Sequence, residues 1–129
     1  PDIDVEELDV VPQLHLSDSS ELLLRLRWLA VLSGRVKASL AVSGGVHTGL
    51  DAVKALMTGA HAVQMVSALL QHGPETLGTV RGQVAAWLEG HEYESLAQAR
   101  GSMSLERCPD PSKFERGNYM RVLNSWRHR

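Results

Sequence analysis

The hydrophobic pattern changes period several times along the chain, and each change marks a predicted element. Residues Ser19 to Ser33 are apolar on most faces apart from Arg25 and Arg27, which predicts a largely buried helix. Asp18, with Glu21 three positions on, supplies its start signal, and Gly34 supplies its stop. Lys37 to Val42 predicts a strand that runs into Gly44-Gly45. Thr48 and Asp51 form a second capping box, and Val53, Leu56, Met57 and Ala60 recur at the i, i+3, i+4, i+7 spacing of a one-sided helix closed by Gly59. Ala62 to Val66 is an apolar run broken only by Gln64, the pattern of a parallel strand covered on both faces. Strand, helix and strand in this order predict a right-handed parallel unit.

The flanking segments are less regular. Pro1 to Asp9 is acidic and reads as irregular chain, and Val10 to Leu16 reads as a short strand or an extended connection. Gly73-Pro74 predicts a turn and a helix start, after which Leu77, Val80, Val84, Trp87 and Leu88 line one face up to Gly90. Ser95 and Gln98 predict a shorter helix that stops at Gly101, and Cys108-Pro109-Asp110-Pro111 predicts a rigid turn. A last helix carries Tyr119, Val122, Leu123 and Trp126 on one stripe and ends in Arg127-His128-Arg129. Trp28, Trp87 and Trp126 fall at helix-core spacing and predict packing.

If the two strand-like runs pair in parallel, their carboxyl ends lie side by side, with Ser43, Gly44 and Gly45 on one and Val66 and Ser67 on the other. Glycine admits positive φ and places no Cβ between the main chain and a tetrahedral anion. The dipole of the following helix adds to the attraction. Loops after neighbouring strands are a recurrent phosphate site of (β/α)8 barrels. Each residue also has a plainer reading. Gly44-Gly45 serves as a turn, Ser67 as an N-cap, and Gln64 as a partner for core polar groups. His47 stands beside the glycine loop.

Composition narrows the partners. The chain has 129 residues, against roughly 250 for a whole (β/α)8 barrel, so it is read as carrying part of one. A formal net charge of −2 with mixed signs gives no basis for a nucleic-acid partner or an anionic membrane. Cys108 is the single cysteine, so neither an intrachain disulfide nor a thiolate metal cluster is expected, and the plain reading of Cys108 is an inert thiol. His15, His47, His61, His72, His91 and His128 show no metal-ligand spacing, and no metal is expected. No run approaches the ~18 apolar residues of a membrane span. Pro1 brings neither an initiator Met nor a targeting pattern, so the expectation is a cytoplasmic protein read from an interior start.

The run Ser43-Gly44-Gly45-Val46-His47-Thr48-Gly49-Leu50-Asp51-Ala52, followed by Leu56-Met57-Thr58-Gly59-Ala60 and Val63-Gln64-Met65-Val66-Ser67-Ala68-Leu69, resembles the last two βα units of class 1 dihydroorotate dehydrogenases. His72-Gly73-Pro74-Glu75, Glu92-Tyr93-Glu94-Ser95-Leu96 and Arg100-Gly101 are similar to that family's C-terminal helices. From Glu106 onward, with Phe114-Glu115-Arg116-Gly117-Asn118-Tyr119, the chain resembles an extension of dihydroorotate dehydrogenase-like proteins. The resemblance implies an α/β fold in which residues 1–104 are the C-terminal part of an FMN-binding (β/α)8 barrel and residues 105–129 a turn plus helix. It implies FMN held through its phosphate at Gly44, Gly45, Val66 and Ser67, with Ser43 adjoining. Val66-Ser67 stands where the family usually has Gly-Thr. Ser17 and Asp18 sit where the preceding loop approaches the flavin.

By the same resemblance the reaction oxidises a CH–CH bond of a dihydroorotate-like substrate in pyrimidine metabolism, passing hydride to the flavin. The family's base, a Cys or Ser on the loop of an earlier strand, matches no residue of this sequence, and Cys108 does not stand in its place. Two other readings stay open: a flavin-free barrel enzyme acting on a sugar phosphate, and a non-catalytic half-barrel that assembles with another chain. Either way, unpaired strand edges and Leu22, Leu23, Leu26 and Leu29 predict a homo-oligomer or association with a missing N-terminal half.

Overall fold

The computed structural model describes residues 1–115 and 118–125. Its sheet content is two separate pairs: β1 (Asp2–Asp4) runs antiparallel to β2 (Asp9–Val11), and β3 (Ala41–Ser43) runs parallel to β4 (Ala62–Gln64). In the parallel pair Ala41 faces Ala62, Val42 faces Val63 and Ser43 faces Gln64, so the carboxyl ends of both strands are level. At the amino ends the Leu40 carbonyl accepts from the His61 N–H at 2.7 Å. The strands, three residues each, are shorter than the apolar runs that predicted them.

The crossover between them is α2 (Gly49–Thr58). Thr48 Oγ1 accepts from the Asp51 N–H at 3.2 Å while Asp51 Oδ2 accepts from the Thr48 N–H at 3.0 Å, the reciprocal bonds of a complete capping box. Gly59 closes the helix at φ 120°. Small residues on α2, Ala52 and Ala55, let it lie close to its neighbours α1 (Leu22–Leu32) and α4 (Glu75–Gly90), and with Leu22, Leu29, Val42, Val46, Ala60 and Val80 they form the core. Gly49 marks the closest approach, since a Cβ there would stand 2.3 Å from Cβ of Gln83. Short helices α3 (Ser67–His72) and α5 (Leu96–Ala99) follow, α5 capped by Ser95 as its sequence predicts, and α6 (Tyr119–Ser125) ends the described chain.

Several expectations are corrected. Pro1 to Asp9 is not irregular: Asp4 Oδ1 accepts from the Glu6 and Glu7 N–H groups, which turns the chain and returns it as a hairpin. Helix α1 is not largely buried. Leu22, Leu29 and Ala30 face the core, whereas Leu23 is 64 % exposed and Trp28 is 56 % exposed. Leu22 and Leu29 therefore drop out of the predicted apolar surface, and Trp28 does not pack as its spacing suggested. Strand β4 is not covered on both faces, because Ala62 and Gln64 are exposed. Along α4, Val80 is buried while Leu77 points outward. On α6, Val122 and Leu123 are exposed; Trp126, Arg127, His128 and Arg129, and Arg116-Gly117 of the extension, lie outside the described residues.

Asp51 is buried, and burial opposes its charge, but hydrogen bonds from the Ser19 hydroxyl, the His47 N–H and Thr48 outweigh that penalty and hold its carboxyl below the usual carboxylate range. A depressed folded-state value stabilises the fold above the unfolded value of about 3.9, and the contribution is lost as pH falls through the lower folded value. Asp51→Asn is expected to cost about 1–2 kcal/mol at neutral pH, with the gap to the parent narrowing below about pH 4. Urea unfolding of both proteins across that range measures it, and a gap independent of pH would contradict the assignment.

Candidate functional site

Three segments meet at the carboxyl ends of β3 and β4. Gly44 and Gly45 follow β3 with φ of 82° and 81°, the left-handed region that favours glycine. Val66 and Ser67 follow β4, with Val66 62 % exposed and Ser67 opening α3. Ser17 arrives from the extended chain before α1 and joins the other two. Its hydroxyl accepts from the Gly45 N–H at 3.1 Å and donates to Ser67 Oγ at 3.0 Å, and its own N–H donates to the same Ser67 oxygen at 3.1 Å. The predicted residues Ser43, Gly44, Gly45, Val66 and Ser67 thus border one another, and Ser17 is the bridge between them.

The glycines also act for a reason that the sequence did not show. A Cβ on Gly45 would stand 2.5 Å from the Leu22 backbone nitrogen, so this residue lets the loop press against the start of α1. A Cβ on Gly44 would meet the end of the Arg25 side chain, 2.8 Å from Nη2. Arg25 therefore lies directly over the glycine loop, where its guanidinium pairs with Glu21 at 3.6 Å. In the sequence Arg25 shows only as a polar break in an apolar helix.

The amino end of α2 does not contribute a free positive dipole. Asp51 Oδ2 already accepts from the His47 and Thr48 N–H groups at 3.1 and 3.0 Å and from the Ser19 hydroxyl at 2.7 Å, and the Gly49 N–H donates to Gln83 at 2.7 Å. The Gly45 N–H and the Ser17 hydroxyl proton are already bonded within the loop, so what remains for an anion is the hydroxyls of Ser43 and Ser67, the rest of the glycine main chain, and the Arg25 guanidinium beside Glu21. That donor set suits a phosphate. His47 adds a buried Nε2 that has no hydrogen-bond partner among the described residues. Among the described residues no cluster of His, Cys, Asp or Glu could hold a metal, and no helix is long and apolar enough to cross a membrane.

The two glycines should respond differently to substitution. Both Gly44→Ala and Gly45→Ala carry the strain of a non-glycine residue at positive φ, but only the second drives a methyl group into rigid backbone. Gly45→Ala is expected to lose about 1–3 kcal/mol more stability than Gly44→Ala. Equal losses in urea unfolding would contradict the close approach to Leu22.

The same chain can be set beside known proteins. No protein-family model matches it. It is 35 % identical over 68 residues to a dihydroorotate dehydrogenase (quinone) of Azorhizobium caulinodans, a stretch covering 53 % of this chain and 19 % of the relative. A mitochondrial dihydroorotate dehydrogenase (quinone) of Oryza sativa subsp. japonica is 34 % identical over 77 residues, covering 60 % of this chain and 16 % of the relative. A putative dihydroorotate dehydrogenase A (fumarate) of Streptococcus pyogenes serotype M5 is 35 % identical over 71 residues, covering 54 % and 23 %. The chain thus spans about a fifth of the curated relatives it matches, and over about half of its own length it is similar to dihydroorotate dehydrogenases.

Proposed function

We propose that the chain is the flavin-phosphate part of an FMN-dependent oxidoreductase of the dihydroorotate dehydrogenase type, acting on a CH–CH bond. One observation carries this reading: the level ends of β3 and β4 bring Gly44-Gly45 and Val66-Ser67 together, joined through Ser17. Similarity to dihydroorotate dehydrogenases supports it from a separate direction. In this reading Gly44, Gly45, Val66 and Ser67 line the phosphate with backbone N–H and hydroxyl donors, Ser43 flanks it, and Arg25 supplies a counter-charge. The chemistry a bound flavin supplies is acceptance of a hydride from a carbon whose neighbour loses a proton.

The chain's own residues bind and orient; none is assigned the proton transfer. Cys108 supports that division, since it is buried on the segment after α5 with its Sγ directed at the Leu105 carbonyl at 3.8 Å. The relatives named for quinone and for fumarate match alike, so the class 1 resemblance, a dihydroorotate-like substrate and a cytoplasmic setting belong to the proposal. So does the wider barrel. Its part is association through the free edges of β3 and β4 and the exposed Leu23, Leu24 and Trp28 of α1, with further strands from the same or another chain.

The protein containing this chain is expected to purify yellow, with flavin absorbance eluting in a species larger than a 14.1 kDa monomer. Ser67→Asp separates the site from the fold. An acidic residue in the first turn of α3 favours the helix, yet its charge repels a phosphate. FMN affinity should fall at least ~10-fold, about 1.4 kcal/mol, with the unfolding midpoint unchanged. A colourless, FMN-indifferent protein that still binds sugar phosphates would favour the flavin-free enzyme instead, and undiminished FMN binding by Ser67→Asp would remove these strand ends from the site.

A further inference from the structure

At the opposite, amino ends of β3 and β4 the fold builds a second cleft. The chain after α5 crosses under the two helices, where the Gly101 N–H donates to the Leu56 carbonyl at 3.0 Å, the Met103 N–H to the Met57 carbonyl at 2.8 Å and the Leu105 N–H to the Ala30 carbonyl at 2.9 Å. This lacing leaves a cavity of ≈ 320 Å³ lined by Ser33, Gly34, His61, Arg100, Glu106 and Arg107, among others. The volume is at the lower end of small-molecule sites, and several times the ~30 Å³ share of one water.

Its electrostatics are unbalanced. Arg100 Nε is buried and has no hydrogen-bond partner among the described residues. Neither Arg100 nor Arg107 lies within ion-pair distance of a carboxylate among the described residues. Glu106, the acidic residue in the lining, is placed over Gly34, where a Cβ would stand 2.5 Å from Oε2. His61 accepts from the Leu40 N–H through Nδ1 at 3.1 Å, which leaves the ring proton on Nε2 as a donor. A buried guanidinium N–H without an acceptor is costly, and two arginines beside one cavity form a geometry suited to an oxyanion.

We propose that this cleft binds a small phosphate ester of a polyol, with Arg100 and Arg107 on the phosphate and Glu106 accepting from a ligand hydroxyl. The site is distinct from the strand carboxyl ends, since the extended chain from Leu40 to Ser43 separates the two by about 10 Å. It does not depend on flavin binding.

Equilibrium dialysis of the protein with radiolabelled glycerol 3-phosphate tests it. The expected result is saturable binding that inorganic phosphate displaces, that glycerol does not, and that survives saturating FMN. Arg100→Gln and Arg107→Gln should each weaken it at least ~10-fold. Arg107 is exposed, so its variant keeps the test valid if Arg100→Gln disturbs folding. The proposal is overturned by no saturable binding below ~10 mM, by Arg107→Gln binding as well as the parent, or by displacement with FMN, which would assign the anion to the strand carboxyl ends.

Discussion

The geometry of the candidate site depends on one buried carboxylate. Asp51 takes the Ser19 hydroxyl and the His47 and Thr48 N–H groups, and so ties the short 3-10 turn that leads into α1, the loop after β3 and the first turn of α2 to a single point. Burial alone would push such a group toward neutrality; three donors reverse the balance and keep it charged. Because the loop is anchored at its far end by this carboxylate and at its near end by β3, Gly44 and Gly45 have little freedom in where their backbone points. The negative charge at the α2 terminus also means that an anion at the strand ends must be held by the loop and by Arg25 rather than by the α2 dipole.

A second constraint is steric. Gly45 meets the backbone of Leu22, which sets how closely α1 can approach the β3 loop, and this approach brings Ser17 into reach of both Gly45 and Ser67. Packing and ligand access are therefore not separable at Gly45. A substitution there changes the fold before it changes binding, whereas Ser67 sits at the start of a helix that accepts acidic residues. Gly44-Gly45 is a turn by its positive φ, and the phosphate seat proposed for it would have to use that same loop.

Local signals in the sequence were the reliable ones. The Thr48-Asp51 box, the Gly59 stop, the Ser95 cap and the β3–α2–β4 order all carry their information within a few residues, and all are present in the structure. The candidate residues at 43–45 and 66–67 were legible for the same reason, as strand ends punctuated by glycine and serine. What failed needed tertiary information. Apolar residues on most faces of α1 do not say which side meets the core, so Trp28, expected to pack, faces out, and Leu22 and Leu29, expected at an exposed surface, face in. The Asp2–Val11 hairpin is stabilised by an aspartate turn inside an acidic segment without alternation, and periodicity could not find it. Arg25 and Ser19 join the site through contacts across 19 and 32 residues of sequence, to Gly44 and Asp51, that no local pattern encodes.

The central claim is that the strand ends recognise the phosphate of the flavin and not its ring. Comparing the dissociation constants of FMN and riboflavin for the same protein at one salt concentration tests this most directly, since the two ligands differ only in that phosphate. The account predicts FMN to bind at least ~100-fold tighter, about 2.7 kcal/mol, with the advantage reduced at high salt. Equal affinities would contradict it and would mean that Gly44, Gly45, Val66 and Ser67 form a turn and a helix start with no part in holding a cofactor.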